Sequence, residues 1–311
     1  MKSIRLLTYC IIFSAALLPA AAAAQNGAKQ TAVFVSREIR PFVEVTNGIC
    51  DQLRDELGGS ADVYYLKRLQ EMQAETVRKK MSDAGYRVFL AVGPAAAEYV
   101  WQELPETRGK KLYAAILNPR KHIPAPSPEV CGVPLNIPVS EQIRAIHQGL
   151  PQARRIGILF DPENNEDFYA AAAEAGAKRG LSVEPLRARA KKEIPEILRS
   201  RLDAVDAIWL IPDATIISET LIEYIIKTSL LRQTPVVGYN QFFHASGAAL
   251  SFVFDYYEIG RQGGRRAADV LRGSGCRTRT PAYDVWLNQR IYRQAGLRLP
   301  ENPPARFKVK P

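Results

Sequence analysis

The chain has 311 residues and is 47% hydrophobic, an ordinary share for globular cores, and its length suits two domains. Its formal net charge is +10, but the basic residues are scattered in pairs such as Arg154–Arg155, Lys191–Lys192 and Arg265–Arg266. Without a long basic run interleaved with aromatics, this charge reads as a solvated surface and argues against nucleic-acid binding.

At the N-terminus, Lys2 and Arg5 precede an apolar stretch from Leu6 to Leu18, followed by Pro19 and an alanine tract. That order is a secretory signal over residues 1–24, with cleavage expected after Ala24 and a periplasmic mature chain. The rival reading is a retained membrane anchor, but the uninterrupted apolar core is shorter than the about 20 residues that span a bilayer. Cys10 lies before the apolar core and follows bulky Tyr9, which argues against lipid attachment. The remaining cysteines, Cys50, Cys131 and Cys276, match neither a zinc site nor a C-x-x-C pair. In an oxidising compartment two alternatives stay open: one disulfide with a leftover thiol, or three unpaired cysteines.

From residue 31 short apolar runs alternate with helical stretches. Thr31–Val35 predicts a strand ending at Ser36, Arg37 and Glu38; Pro41 to Leu57 predicts a helix, with Val45, Ile49, Leu53 and Leu57 on one face. A strand is expected at Val63–Leu66, a polar helix from about Gln70 to Ala84, and a strand at Val88–Val92 running into Gly93, Pro94 and an alanine-rich helix. Leu112–Leu117 is a further strand, ending at Asn118. The proline-rich stretch Pro119–Pro138 interrupts the rhythm, with a short crossover strand expected near Val133–Ile137. The pattern then restarts: Ile156–Phe160 ends at Asp161–Asn165 and a helix through Arg179, Ala207–Ile211 ends at Pro212–Thr215, and Pro235–Gly238 ends at Tyr239. Strands beginning near 33, 88 and 113 give gaps of about 55 and 25; those near 156, 207 and 235 give about 51 and 28. The alternation predicts an α/β protein of two Rossmann-like lobes with parallel sheets, one architectural unit used twice. Helix N-termini and strand C-termini meet at one edge of such a sheet, and if both edges face a common cleft the turns above line it.

An ordered set of segments carries a family resemblance: Gly132–Pro138, Leu150–Pro162, Ala204–Thr215, Pro235–Gly238, Gly247–Leu250 with Asp255–Gln262, and the closing Leu287–Asn288, Ala295–Leu297 and Pro300. Together they resemble the substrate-binding proteins of ABC transporters with a type I periplasmic-binding fold, in the group typified by aromatic amino-acid binders. The resemblance implies discontinuous lobes joined by a three-crossover hinge, lobe 1 over residues 30–135 and 251–282 and lobe 2 over 136–250 and 283–305. It implies a monomeric, non-enzymatic receptor for a small polar or amino-acid-like ligand, an aromatic amino acid among them, delivered to an ABC permease. A periplasmic sensing protein that docks on a signalling receptor is the alternative. The chain departs from the group in the charged first loop, Ser36–Arg40, and in Ala214, where the amino-acid-binding members imply Asn.

Ten residues of these turns are the candidate ligand contacts: Ser36, Arg37, Gly93, Pro94, Ala95, Asn118, Asn164, Asp213, Thr215 and Tyr239. Asp213 could hold an ammonium group or cap the helix that follows; Asn164 and Asn165 could donate amides to a carboxylate or cap the next helix; Tyr239 could stack on a ligand or pack within the lobe. Gly93–Ala95 would offer helix N-terminal N–H groups to an anion. Asp255 reads as a helix cap. His122, His147 and His244 form no paired metal motif, and no nucleophile elbow, P-loop or G-x-G-x-x-G occurs, so no metal, cofactor or catalytic residue is expected. Gly260–Gly264 lies inside an amphipathic helix and reads as close packing.

Overall fold

The computed structural model describes residues 30–104, 108–124, 130–216 and 218–311; the signal-sequence reading of residues 1–24 lies outside them. The first sheet is built from β1 (Thr31–Val35), β2 (Ala61–Tyr65), β3 (Val88–Val92), β4 (Lys110–Ile116) and β5 (Cys131–Pro134), all parallel, in the order β2-β1-β3-β4-β5. Strands β1 and β3 are buried at every position, as their continuous runs of apolar and β-branched residues require when helices cover both faces. The helices are α1 (Arg40–Leu57), α2 (Leu66–Gln70), α3 (Ala74–Asp83) and α4 (Pro94–Gln102). The polar helix expected from about Gln70 begins only at Ala74, with the short α2 before it, and the second strand is Ala61–Tyr65 rather than Val63–Leu66.

The second sheet repeats this plan. Strands β6 (Arg155–Phe160), β7 (Ser182–Arg187), β8 (Ala207–Leu210), β9 (Val236–Gly238) and β10 (Leu250–Phe254) run parallel in the order β7-β6-β8-β9-β10. Between them lie α5 (Val139–Gly149), before β6, α6 (Pro162–Ala177), α7 (Ile194–Arg201), α8 (Glu219–Leu231) and α9 (Gln241–Ala245). The order 2-1-3-4-5 therefore occurs in both sheets, which is the repetition that the strand spacing implies. Two strands extend the second sheet: β11 (Tyr283–Asn288), antiparallel to β10, and β12 (Phe307–Lys310), parallel to β11, with α11 (Gln289–Gln294) between them.

The chain passes between the two layers three times. It leaves β5 for α5 through 135–138, reaches α10 (Tyr256–Leu271) directly from β10, and returns to β11 through 272–282. β10 hydrogen-bonds within the second sheet along its whole length, and α10 is the first element after it to join the core of the first sheet. There α10 crosses α1 so closely that a Cβ on Gly260 would sit 2.1 Å from the carbonyl oxygen of Val45, and one on Gly48 would sit 2.1 Å from that of Tyr257. The glycines of α10 are a packing device, as their place in an amphipathic helix implies. Cys131 of β5 is disulfide-bonded to Cys276, beyond α10, with Cα atoms 5.9 Å apart, and Cys50 of α1 is left as a half-buried thiol. Of the two alternatives, the structure has the single disulfide.

Candidate ligand-binding cleft

In each sheet the strand order reverses once, between β1 and β3 in the first and between β6 and β8 in the second; polar ligands of open α/β sheets bind at the strand C-termini beside such a point. At the first, Ser36 follows β1, donates its backbone N–H to Val92 O (3.0 Å) and accepts at Oγ from Ala96 N (2.8 Å). Ala96 is the third residue of α4, so a side chain from the neighbouring strand satisfies one of the helix's open N–H groups. Gly93 enters α4 at φ 84°, and a Cβ there would lie 2.6 Å from the Phe42 ring and 2.8 Å from Ser36 Oγ. Both the backbone sign and the closure of the two turns require glycine. Pro94 takes the first helical position and Ala95 the second, while Arg37, next to Ser36 in the chain, is exposed. After β4, Asn118 adopts φ 50° and exchanges hydrogen bonds with Asn136: its N–H donates to Asn136 Oδ1 (2.8 Å), and Asn136 Nδ2 donates to Asn118 Oδ1 (2.7 Å). Asn136 belongs to the first passage between the sheets, so this pair fastens a cleft turn to the connection.

The second rim is organised by Asp213, which is only 3% exposed. One carboxylate oxygen accepts from Asp161 N (2.7 Å) and Asn165 Nδ2 (2.7 Å); the other accepts from Thr215 N (2.8 Å) and Thr215 Oγ1. A carboxylate offers about four lone-pair sites, and all four are occupied by this chain. Asn165 reaches Asp213 because α6 is kinked at that residue, at φ −134° and ψ 15°. Asn164 does not join this group: its amide donates to Asp161 Oδ2 (2.7 Å), while Asp161 Oδ1 caps α6 by accepting from Glu163 N (3.0 Å). Tyr239 follows β9 and packs on Phe243, ring centroids 4.4 Å apart. Burial first, and then the negative charge of Asp213, push its hydroxyl pKa upward, so the phenol stays neutral and faces the same rim.

A cavity of about 610 Å³ is walled on one side by Arg40 and Pro41, at the start of α1, and on the other by Asn240 and Phe242, at the start of α9; Asp284 and Trp286 of β11 close its base. None of the ten candidate residues lines this cavity that both sheets share, and Asn118 lines a different one with Asn136 and Thr278. Asn240 Oδ1 caps α9 by accepting from Phe243 N (3.2 Å), which holds the turn after Tyr239 in position. Reading the strand-to-helix turns finds Ser36, Gly93, Asn118, Asp213, Thr215 and Tyr239 at the sheet edges. It reads Asn165 as an amide donor to a carboxylate or a helix cap, but not as the donor to Asp213 that the kink of α6 makes it. It misses Asp284 and Trp286, where the signal is the alternation of half-exposed and buried residues along β11.

Residues 111–303 match the ABC transporter substrate binding protein family. The chain belongs to that family. Its fold is the type I periplasmic-binding fold, shared with solved structures at low sequence identity. A substrate binding protein with adhesive properties from Clostridium difficile, in a ligand-free, open structure, is 16% identical with a TM-score of 0.74, the match covering 91% of this chain and 99% of that one. A periplasmic ribose ABC transporter structure from Conexibacter woesei is 15% identical with a TM-score of 0.59, covering 86% and 94%. An ABC domain in complex with L-Trp from Streptococcus pneumonia is 20% identical with a TM-score of 0.56, covering 88% and 96%. No curated protein matches the chain. Among the described residues no helix is long and apolar enough to cross a membrane.

Proposed function

We propose that this member of the family is the periplasmic solute receptor of an ABC importer, not an enzyme, and that it binds a small polar or amino-acid-like molecule between its lobes. The observation that carries the reading is the interlobe cavity, whose opposing walls come from the starts of α1 and α9, each at the C-terminal edge of its own sheet. The lobes expected over 30–135 with 251–282 and over 136–250 with 283–305 are drawn with β10 and β12 in lobe 2, because both strands pair within the second sheet. Closure is a hinge motion at the three passages, which leaves both sheets intact. Ser36, Arg37, Gly93, Pro94, Ala95 and Asn118 form one jaw, and Asn164, Asp213, Thr215 and Tyr239 the other. In this reading Ser36, Gly93 and Asp213 shape the rims, since their polar atoms are already bonded within the chain. The L-Trp complex of the streptococcal relative makes an aromatic amino acid the first ligand to test. Secretion through a cleaved signal ending at Ala24 places the receptor in the periplasm, where its partner is the permease.

The test is mass spectrometry of small molecules retained by the purified mature protein, followed by thermal shift with amino acids. A ligand that binds the folded state alone raises the melting temperature with its concentration. Release of a chemically altered product would overturn the binding reading.

A further inference from the structure

We infer that the interlobe cavity selects a cationic, amine-bearing ligand with an apolar body, and that Asp284 is its specificity-determining carboxylate; this rests on the solute-binding reading above. The acidity is unexpected in a chain of net charge +10. The cavity is lined by Glu44, Asp255 and Asp284 and by one cation, Arg40. Arg40 is neutralised by Glu44, its Nε donating to Oε1 at 2.8 Å. Asp255 uses one oxygen to cap α10, accepting from Glu258 N at 2.9 Å. Asp284 has no hydrogen-bond or ion-pair partner among the described residues, so its negative charge is directed to whatever enters.

Around these charges the wall is aromatic: Phe242, Phe254, Tyr256 and Trp286 supply apolar faces for a ligand body. Trp286 already carries a cation, the Lys310 ammonium lying 4.9 Å from its ring centroid. Behind the cavity, sealed from it, the sheet also buries polar atoms without partners among the described residues. Asp284 and Trp286 lie opposite Val253 and Ser251 in the antiparallel ladder, so the four side chains share one face of the sheet. Ser251 is fully buried, and neither its Oγ nor Trp286 Nε1 has a hydrogen-bond partner among the described residues. Asp213, by contrast, has no acceptor capacity left for an ammonium group, which moves the charge-reading role to β11.

Isothermal titration of the purified protein with 2-phenylethylamine and with phenylacetate compares a cation and an anion of the same apolar body. The amine is expected to bind at least about tenfold more tightly than the acid. Asp284→Asn, an isosteric change at a half-exposed side chain without partners, is expected to remove most of that preference while leaving the melting temperature of the free protein unchanged. Equal or tighter binding of phenylacetate, no binding of the amine, or an amine affinity untouched by Asp284→Asn would overturn the inference. Retention of some other solute by the same preparation would leave the solute-binding reading standing in each of those cases.

Discussion

Asn165 donates its side-chain amide to Asp213 at 2.7 Å, joining the kink of α6 to the turn that follows β8. Asp161 N donates to the same carboxylate oxygen, and Thr215 fills the other. The rim of the second sheet is therefore one hydrogen-bonded unit, with a buried carboxylate at its centre. Its counterpart in the first sheet is smaller: Ser36 accepts a single bond from Ala96 N across the equivalent reversal of strand order.

That difference in number sets an order of effects. Asp213→Ala strands four donors in a buried turn and is expected to destabilise the protein by about 3 kcal/mol. Ser36→Ala removes one helix-capping acceptor and is expected to cost about 1 kcal/mol. Urea unfolding of both variants measures the two values. If Ser36→Ala costs as much as Asp213→Ala, the centrality of Asp213 is wrong.

The rims were legible in the sequence because each sits where an apolar run stops at a polar turn. Asp213 follows Ala207–Ile211 in this way, and Ser36 follows Thr31–Val35. What could not be read was which of its two roles Asp213 would take, since that depends on Asn165 leaving helical geometry and on Asp161 being its neighbour across β6 and β8. The disulfide was hidden for the same reason. Cys131 and Cys276 are separated by 145 residues and meet through the placement of β5 beside the end of α10, a relation with no local signature. Asp284 and Trp286 were missed because nothing local to 283–287 shows that pairing with β10 places the two side chains on one face of the sheet.

The crossing of α1 and α10 separates two glycines of one helix. Gly260→Ala would place a methyl group 2.1 Å from the Val45 carbonyl oxygen, and the helices must part to admit it. A loss of about 3 kcal/mol is expected, at the upper end of overpacking effects. A Cβ at Gly263 meets Ile49 at 3.5 Å and Ala114 at 3.6 Å, ordinary contact distances, and alanine there gains helix propensity. Gly263→Ala is expected to be neutral or to stabilise by up to about 1 kcal/mol. Thermal denaturation of the pair checks the packing, and equal effects at the two positions would contradict it.

The disulfide closes a loop of 145 residues in sequence separation, and chain-entropy arguments give about 5 kcal/mol for a loop of that size. Cys131→Ser and Cys276→Ser are each expected to lower stability by about 3 to 5 kcal/mol, and the double variant by no more than either alone. Cys50 provides the control. Burial pushes its thiol pKa up, so it should alkylate slowly at neutral pH in the folded protein, and Cys50→Ala should leave the melting temperature nearly unchanged. Mass spectrometry after alkylation, with and without reductant, counts the reactive thiols and tests the assignment.

Asp206 gives the acid side of the stability profile a specific origin. Burial pushes its carboxyl up, but it accepts from Arg154 N (2.8 Å), Arg155 N (2.8 Å) and the Arg155 guanidinium (2.9 Å), and the net effect is a pKa below the ordinary aspartate value. A carboxyl whose pKa falls on folding binds fewer protons in the folded state, so its stabilising effect is complete above the unfolded pKa of about 3.9. That effect is lost as the pH drops through the folded value, once the carboxyl is protonated in both states. Asp206→Asn removes the ionisation and keeps the shape, so the variant should be less stable than the parent at neutral pH. The gap should narrow as the pH falls below about 4. Urea midpoints recorded from neutral pH down through the acid range measure it, and a gap that stayed constant across that range would show that Asp206 contributes no pH-linked stability.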